Sequence, residues 1–132
     1  MQKALKMADL RPEDIDYVNA HGTGTPNNDA SESAALRRVF GERIPPVSST
    51  KAFTGHTTSA SGSIEAVFCI LALQEGFIPT NLNWSTPDPA CITPYRGGDA
   101  SCPAPTGHLP LKHILCNAFG FGGNDSSLLF SR

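Results

Sequence analysis

The segment Ile15-Asp16-Tyr17-Val18-Asn19-Ala20-His21-Gly22-Thr23-Gly24-Thr25 joins a short apolar run to a histidine enclosed by glycines and threonines. Residues 15–19 predict a short strand, so His21 lies at the carboxyl end of that strand. Open α/β sheets bind their ligands at this edge. Glycines beside a histidine let the backbone turn sharply and approach a ligand closely. The segment therefore predicts an α/β domain with a ligand site at His21.

A second histidine segment, Lys51-Ala52-Phe53-Thr54-Gly55-His56-Thr57, follows a second predicted strand at residues 46–50. Lys51 supplies a fixed positive charge near His56. One histidine in a loop is usually a polar surface residue, but two in matching glycine and threonine loops indicate a site that stabilises an oxygen as it becomes negative. His108 and His113 lack such surroundings, and we expect them to be structural.

The 132 residues suit a single domain, 1–132, with a hydrophobic core. Ten basic and twelve acidic residues give a net charge of −2, and no long run of either sign predicts nucleic-acid or membrane-surface binding. Arg37, Arg38 and Arg43 form a local basic cluster that could meet an acidic carrier protein, although a solvated helix face is the favoured interpretation. No segment resembles a membrane span or signal peptide, which predicts a cytoplasmic protein.

The cysteines predict reduced, structural thiols. They show no C-x-x-C pair and no regular spacing, so neither disulfides nor a metal site is expected. The four are Cys69, Cys91, Cys102 and Cys116.

Two helices are predicted around the second loop. Asp29 with Glu32 matches an N-cap with its capping box, so the first helix should begin near Ala30 and stop at Gly41. Its buried side should hold Ala35, Leu36, Val39 and Phe40. The second should open with the small residues 59–63 and end at Gly76. Its apolar residues at i, i+3, i+4 and i+7 predict a buried face of Ile64, Val67, Phe68 and Leu71.

The last third of the chain should be an irregular connection followed by a hairpin. Most of the eleven prolines lie from Pro79 to Pro110 and indicate a long exposed segment, which includes Pro103 and Pro105. Apolar runs at residues 114–116 and 128–130 flank glycines and predict a β-hairpin. Its tip, residues 120–124, matches no phosphate-binding motif; it either offers backbone N–H groups and an aromatic ring to an apolar ligand or is a plain turn.

Taken in order, these segments resemble the C-terminal half of the β-ketoacyl-[acyl-carrier-protein] synthases, condensing enzymes of the thiolase-like fold. The matching segments are residues 21–26 with Asp29 and Glu32; Lys51 with residues 54–56, Gly62 and Glu65; residues 79–82 and 87–89; and residues 117–124. The resemblance implies an α/β fold with a mixed sheet, packed helices and a C-terminal β-hairpin.

The resemblance also implies a mechanism. A malonyl thioester loses carbon dioxide, and the resulting enolate attacks an acyl group held on a cysteine. His21 and His56 would donate N–H groups to the enolate oxygen, and Lys51 would help to keep both rings neutral. The sequence presents two histidines in these positions, instead of a histidine and an asparagine, and in this it resembles the elongating branch of the family.

Further site residues come from the resemblance alone. Thr23 and Thr25 would hydrogen-bond the phosphopantetheine arm of an acyl carrier protein, and no other cofactor is implied. The backbone N–H of Phe121 would complete an oxyanion hole while its ring gates the acyl pocket. Lys51 and Glu65 would form a buried ion pair, and Gly120 and Gly122 would support the hairpin tip.

The implied partners are an acyl carrier protein, the N-terminal half of the synthase with its nucleophilic cysteine, and a second chain in a homodimer or heterodimer. None of the four cysteines lies in a matching motif, so we expect the chain alone to be inactive. We also expect an exposed sheet edge and apolar face to favour self-association. The alternatives are a non-catalytic partner similar to a chain-length subunit, or an acyl or carrier-protein binding module.

Overall fold

A four-stranded sheet forms the centre of the structure, a computed structural model that describes residues 1–97 and 107–132. The strands are β1 Tyr17–Asn19, β2 Val47–Ser48, β3 His113–Gly120 and β4 Asn124–Ser131, in the order β2-β1-β3-β4. Strand β1 pairs in parallel with β2 and β3, whereas β3 and β4 form an antiparallel hairpin. The predicted mixed sheet and C-terminal hairpin are thus confirmed. The expectations for Cys102, Pro103 and Pro105 lie outside the described residues.

Helices cover both faces of this sheet. They are α1 Gln2–Met7, α2 Pro26–Phe40, α3 Lys51–Thr54 and α4 Ser61–Glu75, with short 3-10 helices at Pro12–Asp14 and Thr58–Ala60. Helix α3 occupies part of what the sequence predicts as a loop. None of the helices in the described part of the chain combines the length and apolar character needed to cross a membrane.

Alternation along β3 divides the core into two clusters. Leu115 packs with Val18 and Leu36, on the face that α1 and α2 cover. Its neighbours Ile114 and Cys116 point the other way and pack against α4. Successive side chains of a strand point to opposite faces, so this central strand contributes to both layers.

Helix α2 begins earlier than the sequence predicts. It starts at Pro26 with Thr25 as its N-cap, so the predicted start near Ala30 is wrong. Proline suits the first helical position because its φ is already helical and its missing N–H has no partner there. Asp29 and Glu32 are therefore not a cap and its capping-box partner; both carboxylates accept hydrogen bonds from the preceding loop. The predicted stop is correct, since Gly41 ends the helix with φ +63°.

Helix α4 buries a different face from the predicted one. Val67 and Leu71 are 55% and 41% exposed. The buried residues are Ser61, Glu65, Cys69, Ala72 and Leu73. Helix α4 carries apolar residues on all of its faces, so their spacing alone could not predict which face is buried. The small side chains on the buried face allow α4 to approach the sheet closely. The predicted stop at Gly76 is correct, with a left-handed conformation at φ +63°.

Residues 77–97, which follow α4, form an irregular connection that hydrogen bonds fix to the domain. The Tyr95 N–H donates to the Val47 carbonyl at 2.7 Å, which ties this segment to the edge strand β2. Arg37 donates to the carbonyls of Ala90 and Cys91 at 2.8 and 3.0 Å. Within the predicted basic cluster, Arg37 therefore anchors this connection to α2.

Candidate functional site

His21 leaves the carboxyl end of β1 in a loop that a buried carboxylate holds. Glu32 accepts the backbone N–H groups of His21 and Gly22, each at 3.0 Å, and the side-chain amide of Asn117 at 3.0 Å. Burial nevertheless raises the pKa of Glu32. The imidazole of His21 is buried at the same edge of the sheet. Glu32 thus fixes the backbone from which the first histidine projects.

Lys51 lies at the start of α3 and reaches from the second loop to the first. Its ammonium group forms a buried ion pair with Glu65 of α4, the pair that the resemblance implies. The Ser61 hydroxyl donates to the same Glu65 oxygen at 3.0 Å. Lys51 Nζ also lies 3.3 Å from His21 Nδ1. A positive charge is therefore held next to Nδ1 of the His21 ring.

His56 places the second imidazole against the first. The two ring centroids are 5.4 Å apart and the planes meet at 87°, an edge-to-face arrangement. His56 itself is exposed, and its Nδ1 accepts the backbone N–H of Thr58 at 3.1 Å. The predicted proximity of the two histidines is thus present in the structure.

The hydrogen bonds assign the same tautomer to both rings. An ammonium group and a backbone N–H can only donate, so Nδ1 of His21 and Nδ1 of His56 act as acceptors. Each neutral ring then carries its proton on Nε2. Both imidazoles consequently keep an N–H donor at Nε2.

His21 is also held neutral at physiological pH. Burial is the largest cause, followed by the Lys51 cation and then His56, and together they lower the pKa of His21 to about 4. Asp125 and Asp29 act in the opposite direction with smaller effects. The expected influence of Lys51 on His21 is therefore present, although burial contributes more.

A cavity of about 530 Å³ opens beside the first histidine loop. Thr23 and Thr25 line it, with their hydroxyl oxygens 2.8 Å apart, and Asn81 and Trp84 line it from the irregular connection. Lys51 also borders this space. The volume falls within the range of small-molecule sites, roughly 300–1,000 Å³.

Phe121 stands apart from these groups. Its ring is fully exposed at the hairpin tip, where Gly122 and Gly123 adopt left-handed conformations with φ +85° and +84°. Gly120 does not adopt this conformation, and a Cβ added to it would make only ordinary contact with Asn124, at 3.4 Å. The aromatic side chain that contacts His21 is Phe119, with ring centroids 5.6 Å apart.

Sequence reasoning missed the contacts of Phe119 and Glu32. Phe119 alternates with Asn117 along β3, so the two lie on one face of the strand, and Asn117 contacts Glu32 beside the first histidine loop. Glu32 precedes Leu36 and Phe40 at helical spacing and therefore belongs to their buried stripe. A buried acid on such a stripe needs hydrogen-bond donors, and the adjacent loop supplies them.

Within residues 1–97 and 107–132, no group of three or more histidine, cysteine or acidic side chains is placed to hold a metal ion.

Comparison with known proteins gives consistent matches. Residues 1–85 match the family "Beta-ketoacyl synthase, C-terminal domain". The chain is 40% identical to 3-oxoacyl-[acyl-carrier-protein] synthase 2 of Synechocystis over 98% of its own length and 30% of that protein. A β-ketoacyl synthase from Burkholderia phymatum has a similar structure, with a TM-score of 0.85 and 39% identity, covering all of this chain and 31% of that one.

A ketosynthase solved with its type II polyketide acyl-carrier protein is also similar. The TM-score is 0.85 at 33% identity, covering 98% of this chain and 31% of that one. The chain thus spans less than one third of the length of these relatives.

Proposed function

The chain belongs to the β-ketoacyl synthase family, and from this premise we propose that it carries the two-histidine part of a condensing active site. Its fold is the C-terminal part of the thiolase-like fold. In the proposed reaction, the C–C bond to the malonyl carboxylate breaks and carbon dioxide leaves. The electron pair forms an enolate, whose carbon then attacks an acyl thioester and expels the thiolate.

The observation that carries this proposal is the pair of adjacent imidazoles with Nδ1 already occupied. As the enolate forms, negative charge gathers on the thioester oxygen. The Nε2–H groups of His21 and His56 are donors suited to that oxygen. Removing one such donor from an oxyanion site typically costs about 10²–10³ in rate.

In the proposed site, Lys51 and Glu65 support His21 electrostatically. The Lys51 ammonium disfavours protonation of His21, and Glu65 balances the lysine charge within the protein. Phe119 covers another side of the His21 ring and limits its exposure. In the proposed site, these residues position and tune His21 rather than contact the substrate.

We place the substrate arm in the cavity beside Thr23 and Thr25. Phosphopantetheine carries amide and hydroxyl groups that can pair with these hydroxyls, and the ketosynthase solved with its carrier protein supports an acyl carrier protein as partner. The exposed Phe121 is available to contact the acyl chain. A homodimer or heterodimer is proposed for the complete enzyme, and no further cofactor is invoked.

The acyl-carrying thiol is proposed to lie outside these 132 residues. Cys69 and Cys116 are buried in the core, where their mutual contact and burial raise the pKa of Cys69. The pKa of Cys91 is also raised, chiefly by desolvation. Thiols with raised pKa values are weak nucleophiles at neutral pH.

A chimera tests the proposal directly. This chain would replace the matching region of the Burkholderia phymatum synthase, and release of carbon dioxide from malonyl-carrier protein would be measured. We expect His21→Ala and His56→Ala each to lower the decarboxylation rate by about 10²–10³.

His113→Ala serves as the matched control, because His113 pairs with Ser131 on the hairpin instead. Circular dichroism would show that each variant is folded. Folded His21→Ala and His56→Ala chimeras that decarboxylate at the unmodified rate would contradict the proposed roles.

A further inference from the structure

Ser49 contacts both histidine loops at once. It follows β2, and its side chain is buried. Its hydroxyl donates to the Gly22 carbonyl at 3.1 Å and accepts the Lys51 backbone N–H at 3.3 Å. Gly22 directly follows His21, and Lys51 carries the ammonium group behind the His21 ring. One hydroxyl therefore bridges the backbones that hold His21 and Lys51.

The bridge is also closely packed. Gly22 adopts φ +44°, and a Cβ added there would lie 2.5 Å from Ser49 Cβ. The first loop therefore approaches Ser49 as only glycine permits. On its other side, the Ser49 N–H donates to Asn81 Oδ1 at 3.0 Å, which fixes Ser49 to the irregular connection.

We propose that Ser49 is a positioning residue that sets the separation between His21 and Lys51. Ser49 lines the cavity beside Thr23 and Thr25, but its hydroxyl proton is donated to the Gly22 carbonyl, so its effect on the histidine passes through the two loops that it joins. This inference rests on the proposed function for its catalytic consequence, whereas its structural part can be measured independently.

The first measurement uses the chain itself and follows the His21 ring by NMR as pH is varied. Four groups influence its titration: Lys51, His56, Asp125 and Asp29. Ser49→Ala removes the hydrogen bond that ties the first loop to the Lys51 segment, while Glu32 still holds the loop to α2. We expect the loop to shift away from Lys51, which exposes the ring and weakens the effect of the lysine. We expect the pKa of His21 to rise from about 4 toward its ordinary value, by roughly one unit or more.

Ser33→Ala is the matched control. Ser33 is an equally buried serine whose hydroxyl accepts the Ile92 N–H at 3.0 Å. It should leave the His21 titration unchanged. Asn81→Ala provides a second, milder perturbation, because it removes the acceptor that fixes the Ser49 backbone. It should shift the pKa of His21 in the same direction as Ser49→Ala.

The second measurement uses the chimera. Ser49→Ala should lower kcat for decarboxylation about tenfold or more and leave KM within about twofold, since small misplacements of catalytic groups are costly in rate. His113→Ala, whose side chain pairs with Ser131 on the hairpin and does not line the cavity, should change neither constant.

The proposal is overturned if Ser49→Ala and Asn81→Ala leave both the His21 titration and kcat unchanged. It is also overturned if Ser33→Ala shifts the His21 titration, or His113→Ala lowers kcat, as much as Ser49→Ala does. An inactive chimera in which Ser49→Ala still shifts the His21 titration would instead count against the proposed function and support the positioning role. An active chimera, sensitive to His21→Ala but not to Ser49→Ala, would count against the positioning role alone.

Discussion

Removing one charge from the Lys51–Glu65 ion pair should strongly destabilise the domain. The side chains are only 6% and 2% exposed, so the remaining charge stays buried without its counter-ion. Glu65→Gln keeps the shape of the side chain and removes only the charge. Breaking a buried pair in this way typically costs about 3–5 kcal/mol. That cost corresponds to a fall of roughly 10–20 °C in Tm for a domain of this size.

Urea unfolding, followed by circular dichroism, would measure the effect. With an m-value of about 1.5 kcal/mol/M, a 3 kcal/mol loss lowers the unfolding midpoint by about 2 M. Glu13→Gln is the control, because Glu13 pairs with Arg11 on the surface at 3.1 Å with both side chains more than half exposed. It should cost less than about 1 kcal/mol.

The double variant Lys51→Met/Glu65→Leu sharpens the test. Replacing both charges with apolar side chains removes the desolvation cost, so the double variant should be more stable than either single one. The reasoning is refuted if Glu65→Gln costs no more than Glu13→Gln, or if the two single effects simply add.

Three further outcomes are expected. The pKa of His21 is about 4 in the folded chain and about 6.5 in the unfolded chain, so the neutral ring favours folding fully above about pH 6.5. This contribution to stability is lost as pH falls toward 4. His21→Gln should remove this part of the dependence of Tm on pH. Gly76→Ala should destabilise the fold, since its Cβ would lie 2.4 Å from the His108 ring. The double variant with His108→Ala should recover part of the lost unfolding free energy, measured in urea. About 1–2 kcal/mol should remain lost, because alanine is strained in the left-handed conformation of residue 76. Phe121→Ala should change the unfolding free energy by less than about 0.5 kcal/mol, whereas Phe119→Ala, which removes a contact with His21, should cost clearly more.

Sequence reasoning succeeded where local chemistry determines local structure. The two histidine loops follow strands because glycines end an extended run and permit the sharp turn that comes next. Gly41 and Gly76 stop their helices in positive-φ conformations for the same reason. Parallel pairing of β1 and β2 then brings the two predicted loops to one edge of the sheet, so His21 and His56 could be expected to meet.

The sequence-based predictions were wrong where the role of a residue, or the buried face of a helix, depends on residues distant in sequence. Glu32 looks like a capping residue locally, but in the fold it accepts hydrogen bonds from the His21 loop and from Asn117 on β3. The buried face of α4 depends on Lys51, because that ammonium group holds Glu65 on the inner side. The spacing of residues within one helix cannot predict the partners of Glu32 or the ion pair of Glu65.

The occupied Nδ1 atoms limit the kind of substrate that the proposed site can process. A ring that already donates its Nε2 proton presents no lone pair to the substrate, so neither His21 nor His56 in this tautomer can remove a proton from carbon. In the proposed site, the carbanion would therefore form without either histidine acting as a base. Loss of carbon dioxide does this, because the departing carboxylate leaves its electron pair behind. The tautomers thus agree with the proposed malonyl thioester, whereas activation of a simple acetyl thioester begins with removal of a proton, which these two rings would not perform.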